Sequence, residues 1–471
     1  MSGHIALSLI VFVVLAAGLS LYLTADDPSQ FVIFSTWGTA TEVESFQRVI
    51  EHYNATRHPL HKVRLSHGEQ NQYTERLIVQ AAARNMPDVI HLDRKDLPLF
   101  VHRALFEDLT CYIGRDSSFH VTDYLPALLP GCRVGDRYYA IPHNFSTMVL
   151  YYNKDHFDAE GMAYPDSTWT WETLLQASQR LTKTDRKGNI VRYGCMMTLI
   201  IQTFIYQNGG RILNATLDSC VVASPEAAGA VQYIVDLSEK YRVSWSMLAQ
   251  NLQWDDMFAG GRLSLIANGR WAASWYMRSM PPGAVDVAPL PRGTYRRGGS
   301  VNHMMAISSQ STKKDEAWEF LKYLVSDEGQ RMINQDGANI PALRSLVYSD
   351  AFLHHRTTPT MNNRIFLDEL PTSVPWPYDQ GPYVTNFTLS TQIELMMRRI
   401  LLGHMTAMQS LKTMQDNVNA AIQTQLRTVS PRPFVGSVLF FICVGIAAVV
   451  PLGVWRFWRT YTHATEEYTD E

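Results

Sequence analysis

Apolar and polar positions along the chain fall into two different periods. Residues 31–35 (FVIFS) are a continuous apolar run, the pattern of a buried strand. Residues 41–53 predict a helix, and 63–65 a second short strand. Over 73–84 (YTERLIVQAAAR) Leu77 and Ala81 share a helical stripe, and Met86-Pro87 ends it. Residues 88–92 (DVIHL) predict a third strand. Strand, helix, strand, helix, strand in that order predicts parallel strands joined by right-handed crossovers, hence an α/β fold. Further on, 311–325 (STKKDEAWEFLKYLV) predicts a helix with Ala317, Phe320, Leu321 and Leu324 on one face, opened by a capping box from Thr312 to Asp315. Two more amphipathic helices are expected at 391–402 and 406–426. Residues 185–188 (DRKG) read as a turn before a short strand at 190–193, and they lack the alternating oxygen ligands of a Ca²⁺ loop. No internal repeat is visible.

Both ends break this rhythm. Residues 5–25 and 434–455 carry no charge, and each is long enough for a helix to span about 30 Å of hydrocarbon. Arg432 and Arg456 bracket the second stretch, with Trp455 and Trp458 where an interfacial belt lies, so 434–455 is expected to be a transmembrane helix. Residues 1–25 are expected to be a membrane anchor or a signal segment. Ala16-Ala17-Gly18 offers a cleavage site, but no Lys or Arg precedes the apolar run, which favours the anchor. Basic residues flank the second span evenly, Arg427 and Arg432 against Arg456 and Arg459, whereas Asp26 and Asp27 suit an outside location. The expectation is a soluble domain over 26–430 facing outward, and a short cytoplasmic tail over 456–471.

Composition narrows the class. The 471 residues predict about three domains at roughly 150 residues each. An apolar share of 46% excludes a disordered chain, and a net charge of −3 argues against a nucleic-acid binder. Five cysteines are too few for a disulfide scaffold. Cys443 lies in the C-terminal apolar run; among Cys111, Cys132, Cys195 and Cys220 the pair Cys111–Cys132 is the expected disulfide, with buried free thiols as the alternative. HExxH, GxSxG, Walker and GxGxxG patterns are absent. The SxxK match at Ser311–Lys314 sits at a helix start, where capping explains it. His52, His58, His61 and His67 lie around a Pro-containing loop without ligand spacing and read as solvated. Sequons at Asn54, Asn144, Asn214 and Asn386 are within chance. No enzyme activity, metal or cofactor is expected.

Several segments, taken in order, resemble one family. Phe34-Ser-Thr-Trp37 resembles its first strand and aromatic ligand contact, and 82–92 (AARNMPDVIHL) its A-x-G-x-x-PDV segment, with Asn85 where Gly is usual. The stretch 138–154 (YYAIPHNFSTMVLYYNK) resembles its Y-x-x-P turn and YYNK strand, and Trp169-Thr-Trp171-Glu172 the helix start that follows. Residues 257–271 (MFAGGRLSLIANGRW) and Gly298-Gly299-Ser300 with Ala306-Ile307-Ser308 resemble two further segments. Together, over about 29–425, they resemble the extracellular solute-binding proteins of ABC importers, in the carbohydrate-binding group that includes maltose-binding protein. The resemblance implies a two-lobed periplasmic-binding-protein fold with a hinge and an interlobe cleft. Lobe one would be about 29–142 and 300–345, and lobe two about 146–297 and 350–428, with crossings near 142–146, near 297–301 and within 345–375.

The implied ligand is a mono- or oligosaccharide, whose C–H faces stack on aromatic rings and whose hydroxyls bond amides and carboxylates. Trp37, Trp271, Trp376 and Tyr378 are the stacking candidates, and Glu69, Asp93, Asn144 and Asn302 the polar ones. Trp169, Trp254 and Trp318 are expected to pack in the core. The implied partners are ABC permease subunits and the cell membrane, with the binding domain on the periplasmic or extracellular side. Two alternatives remain: a sensing receptor, for which the tail is short, and a tethered hydrolase, which would need paired carboxylates that no local motif supplies.

Overall fold

The apolar runs become the strands they predict. In a computed structural model of the chain, which describes residues 30–69, 72–246, 254–375 and 382–429, the first three strands are β1 (Phe31–Thr36), β2 (Lys62–His67) and β3 (Val89–Asp93). β1 pairs in parallel with β2 on one side and β3 on the other. Every residue of β3 is buried, as suits a parallel strand covered on both faces. The helix Ala40–Thr56 after β1 starts at a reciprocal cap: Thr39 Oγ1 accepts from the Glu42 N–H, and Glu42 Oε2 accepts from the Thr39 N–H at 2.8 Å.

A short hairpin follows, β4 (Arg133–Val134) and β5 (Arg137–Tyr138), and then β6 (Ile141–Thr147) and β7 (Val149–Asn153). The remaining strands are β8 (Lys183–Thr184), β9 (Ile190–Met196), β10 (Leu263–Asn268), β11 (Val285–Ala288), β12 (Gly298–Ile307), β13 (Ile340–Pro341) and β14 (Ser373–Pro375). They form two main sheets. The seven-stranded sheet runs β13-β6-β12-β3-β1-β2, with β14 added beside β12, and the five-stranded sheet runs β11-β7-β10-β9-β8.

The chain passes between the sheets at two places that touch. Met148 alone separates β6 of the large sheet from β7 of the small one, and its N–H donates to Gly299 O at 2.8 Å, at the start of the returning strand β12. The first passage thus falls just after 142–146, because β6 stays in the large sheet through Thr147. β14 pairs in parallel with the same start of β12, Gly298 opposite Ser373.

Other expectations shift. The helix expected over 311–325 forms as Lys314–Val325 with Ala317, Phe320, Leu321 and Leu324 buried, but Thr312 does not cap it. Ser311 turns inward instead, its Oγ donating to Asp88 Oδ1 at 2.6 Å, so the helix start is bonded to the entrance of β3. The C-terminal helices run Asn386–Leu401 and Ala407–Val429. The Asp185 carboxylate closes its turn by accepting from the N–H groups of Lys187 and Asn189. His52 lies in the first helix rather than in a loop and bonds the Tyr323 hydroxyl at 2.7 Å. The disulfide expectation is corrected: Cys111, Cys132, Cys195 and Cys220 are all free thiols. Cys132 is fully buried, its pKa pushed up to about 12 by burial, while Cys111 is exposed.

The contacts divide the chain into two units, residues 1–420 and 421–471. Both sheets belong to the first; of the second only 421–429, the end of the helix Ala407–Val429, is described. The apolar segments 5–25 and 434–455 lie outside the described residues, as do Trp376 and Tyr378. Among the described residues no helix is long and apolar enough to cross a membrane.

Candidate functional site

The register of three interior strands sets a polar row across the large sheet. His303 on β12 stands opposite Asp93 on β3 and opposite Asn144 on β6. Its Nδ1 donates to Asn144 Oδ1 at 2.8 Å. Asp93 Oδ2 accepts from Lys95 Nζ at 2.7 Å. Asn302, the next residue on β12, is buried, and its amide oxygen has no hydrogen-bond partner, so the position calls for a donor such as a hydroxyl.

Trp37 follows directly on β1 and closes over this row. Its ring stacks on His91 at 4.3 Å, meets Tyr73 at 4.8 Å and receives His303 edge-on at 5.7 Å. The indole is only 7% exposed, so one face is already covered by protein. Thr36 Oγ1 donates to Trp37 O and therefore accepts from His91 Nδ1 at 2.9 Å, which leaves the unprotonated Nε2 of His91 buried without a partner.

Sequence reasoning missed the imidazoles. His91 lies 5.6 Å from His143 and 5.2 Å from His303, ring to ring. Burial is the main cause that lowers the pKa of all three, His143 to about 3, so they are neutral at ordinary pH. The signal was there, a histidine in each of two apolar strand segments (DVIHL and AIPHNF), but nothing local says that those strands become near neighbours through β12.

The small sheet contributes the opposite side. β10 ends in the turn Arg270–Ala272, where Trp271 is 37% exposed. The Arg270 N–H donates to Ser146 Oγ on β6 at 2.7 Å, and Ser274 Oγ to Asp336 O at 3.1 Å, so this end of the small sheet abuts the large-sheet lobe. The Arg270 side chain turns inward, fully buried, donating from Nη2 to Thr358 Oγ1 at 3.0 Å; burial lowers its pKa to about 10. Glu69 is exposed beyond β2 and makes no hydrogen bond to the Asp93–His303–Asn144 row. Among the expected residues, then, Asp93 and Asn144 meet across His303 with Trp37 beside it; Asn302, the next residue on β12, is directed to the other face of the sheet, Trp271 lies in the small-sheet turn, and Glu69 is exposed beyond β2. Trp169, Trp254 and Trp318 pack as expected: Trp318 is buried against Phe119 and Tyr112, and the half-buried Trp169 and Trp254 lie against Phe157 and the core.

Two grooves among the described residues lie elsewhere. One of about 970 Å³ runs between Tyr53, Phe119, Tyr323 and Leu343, and one of about 660 Å³ between Asn334, Asn339, Phe352 and His355. None of the expected ligand residues lines either. Trp37 and Asp93 stand at the ends of β1 and β3, the position that binding sites of α/β folds favour, while Asn144 and His303 lie within β6 and β12.

Two α/β sheets joined through bonded passages, with rings and amides on facing lobes, define a two-lobed solute-binding protein. The chain belongs to the bacterial extracellular solute-binding protein family, whose sequence profile matches residues 37–331. It is 25% identical over 379 residues to a mannitol-binding protein of Pseudomonas aeruginosa, covering 74% of this chain and 84% of that one. In fold it is similar to an ABC substrate-binding protein from Listeria monocytogenes in complex with cycloalternan, with a TM-score of 0.72 at 22% identity over 83% of this chain and 98% of that one. It is also similar to maltose-bound MalE3 of T. maritima, with a TM-score of 0.67 at 21% identity over 83% and 99%. These proteins are solute-binding proteins rather than enzymes.

Proposed function

We propose that the protein is the membrane-anchored substrate-binding component of an ABC sugar importer, capturing a carbohydrate between its lobes and delivering it to permease subunits. The observation that carries the reading is the row Asp93–His303–Asn144 beneath Trp37, faced by the exposed Trp271. A sugar ring offers apolar C–H faces to the indoles and hydroxyl edges to the row. The relatives' ligands, mannitol, cycloalternan and maltose by name, are neutral polyhydroxyl compounds, and the described site is built for that chemistry. The lobes follow the sheets: lobe one takes about 29–147 and 298–345, with β14 returning to it, and lobe two about 149–297 with the C-terminal helices. Closure around the ligand is favoured because both lobes touch it only then. The segments 5–25 and 434–455 hold the domain at the outer face of the cell membrane.

The test is thermal-shift screening of the detergent-solubilised chain against mono- and oligosaccharides and polyols. A ligand specific to the native state raises stability by RT ln(1 + [L]/Kd), about 2.7 kcal/mol at 100 Kd. Stabilisation by a sugar or polyol, unaffected by chelators, supports the reading. Stabilisation only by peptides or metal ions overturns it.

A further inference from the structure

Trp271 owes its place to a buried network behind it. A β carbon built on Gly269 would lie 2.1 Å from Cζ3 and 2.3 Å from Cη2 of the Trp271 ring, so the indole rests against the bare α carbon of that glycine. Gly269 is itself held on both sides of its α carbon. Its N–H donates to Asn268 Oδ1 at 2.8 Å, and its carbonyl accepts from the Tyr151 hydroxyl at 2.8 Å. Asn268 Nδ2 then donates to Asp255 Oδ1 at 2.8 Å and to the Tyr276 hydroxyl at 2.9 Å, and that hydroxyl donates in turn to the same Asp255 oxygen. Asn268, Tyr151 and Tyr276 are buried and Asp255 is half-buried.

A carboxylate so withdrawn from water is costly unless donors surround it, and a satisfied polar network fixes one geometry where apolar packing would tolerate several. What the carboxylate adds is orientation: it fixes the Asn268 amide, which fixes the Gly269 peptide, against which the exposed indole lies.

We infer that Asp255 is a positioning residue for sugar binding, setting the angle of Trp271 through Asn268 and Gly269 rather than touching the ligand. The inference deepens the proposed function and rests on it for its consequence in affinity, but the positioning itself is measurable without any ligand.

The experiment labels the full chain with 5-fluorotryptophan and assigns the Trp271 resonance by its loss in Trp271→Phe. In Asp255→Ala and in Gly269→Ala the Trp271 signal should shift or broaden while the other tryptophan signals stay in place; Asp255→Asn, which keeps an acceptor, should restore most of the native position. Tyr276→Phe removes the two bonds of that hydroxyl but leaves the Asn268–Asp255 bond, and should give an intermediate shift, which keeps the test open should Asp255→Ala fail to fold. Affinity for maltose and for D-mannitol gives the second reading. Asp255→Ala should weaken whichever is bound about tenfold in the wild type and hardly at all in the Trp271→Ala background. An unmoved Trp271 signal in Tyr276→Phe and Gly269→Ala, a shift of all tryptophan signals alike, or a full tenfold loss persisting without Trp271 overturns the inference. A moved signal with no change in sugar affinity leaves the positioning intact and counts against the sugar reading instead.

Discussion

His303 Nδ1 and Asn144 Oδ1 stand 2.8 Å apart across two adjacent antiparallel strands, directly beside the point where β12 shifts register against β6. The shift falls between His303 and Met304, so the bond secures the last regular pair before the irregularity. Bulges and shifts of this kind re-aim side chains near binding sites. Here His303 comes edge-on to Trp37 while Asn302 is left with an unpaired oxygen.

Replacing Asn144 by Ala should therefore leave a buried imidazole N–H without an acceptor. The expected cost is about 1–3 kcal/mol of stability, read as a lower midpoint in urea with an unchanged slope, together with weaker sugar binding. Replacement by Asp, which keeps the acceptor, should recover most of the loss. An Asn144→Ala protein as stable as the wild type would remove the bond from the account.

The neutral imidazoles give a pH signature. The pKa values of His91, His143 and His303 are lowered on folding, so below the ordinary histidine value the unfolded chain binds protons that the folded one refuses. Their contribution is full above about pH 6.5 and is lost as the pH falls toward 3, at up to about 1.4 kcal/mol per unit for each fully shifted group. Asp96, raised to about 7 by burial, works in the opposite direction over the same range, so the wild-type curve mixes both. A comparison isolates the histidine: between pH 6.5 and 4 the stability of His143→Phe should fall less steeply than that of the wild type. Parallel curves would show that His143 is not held neutral by the fold.

Much of the fold was legible because β1 and β3 are apolar throughout, which a sequence displays locally. The row across the sheet was not. It depends on β12, two hundred residues beyond β3 in rough terms, lying between β3 and β6, and the polar break Asn302-His303 in a strand reads locally only as an interruption. The capping expectation failed at Thr312, while Ser311 bonds both Asp88 and the Lys313 N–H at the helix start. Trp271 was legible from the family resemblance, whereas the seat beneath it depends on Asp255 and Tyr276 meeting only after the chain has folded.

At the start of β12 the Arg296 guanidinium donates from Nη2 to Glu369 Oε1 at 2.5 Å; the carboxylate is 1% exposed and the arginine 31%. The two substitutions should be unequal. Arg296→Ala strands a buried carboxylate, which is expected to cost about 3–5 kcal/mol. Glu369→Gln frees an arginine that already reaches water and should cost much less. Urea unfolding of the two variants decides, and equal losses would mean that burial of Glu369 does not set the balance.

Topology follows from the proposed tether. The sequence between the last described helix and the apolar run 434–455 is Ser430-Pro431-Arg432-Pro433, whose two prolines predict a short, stiff link. A tethered receptor meets its permease at an effective concentration on the order of millimolar. A cytoplasm-dependent reporter fused after Glu471 should be active, and the same reporter after Asp27 silent. The reverse result would place the domain on the cytoplasmic side and remove the import reading.

The two tryptophans should respond in opposite ways. Trp37 is 7% exposed and in ring contact with His91, Tyr73 and His303, so Trp37→Ala opens a cavity in the core and is expected to cost about 3–5 kcal/mol of stability. Trp271 is 37% exposed, so its loss removes little packing but takes away a stacking face for the ligand. Trp271→Ala should therefore unfold at nearly the wild-type denaturant concentration and bind sugar more weakly by about 1–3 kcal/mol, a factor of roughly 5 to 150. Paired urea titrations and calorimetric binding curves separate the effects. If Trp271→Ala instead loses stability while its folded fraction binds sugar as tightly as the wild type, the indole is structural and the facing lobe contacts the ligand through other residues.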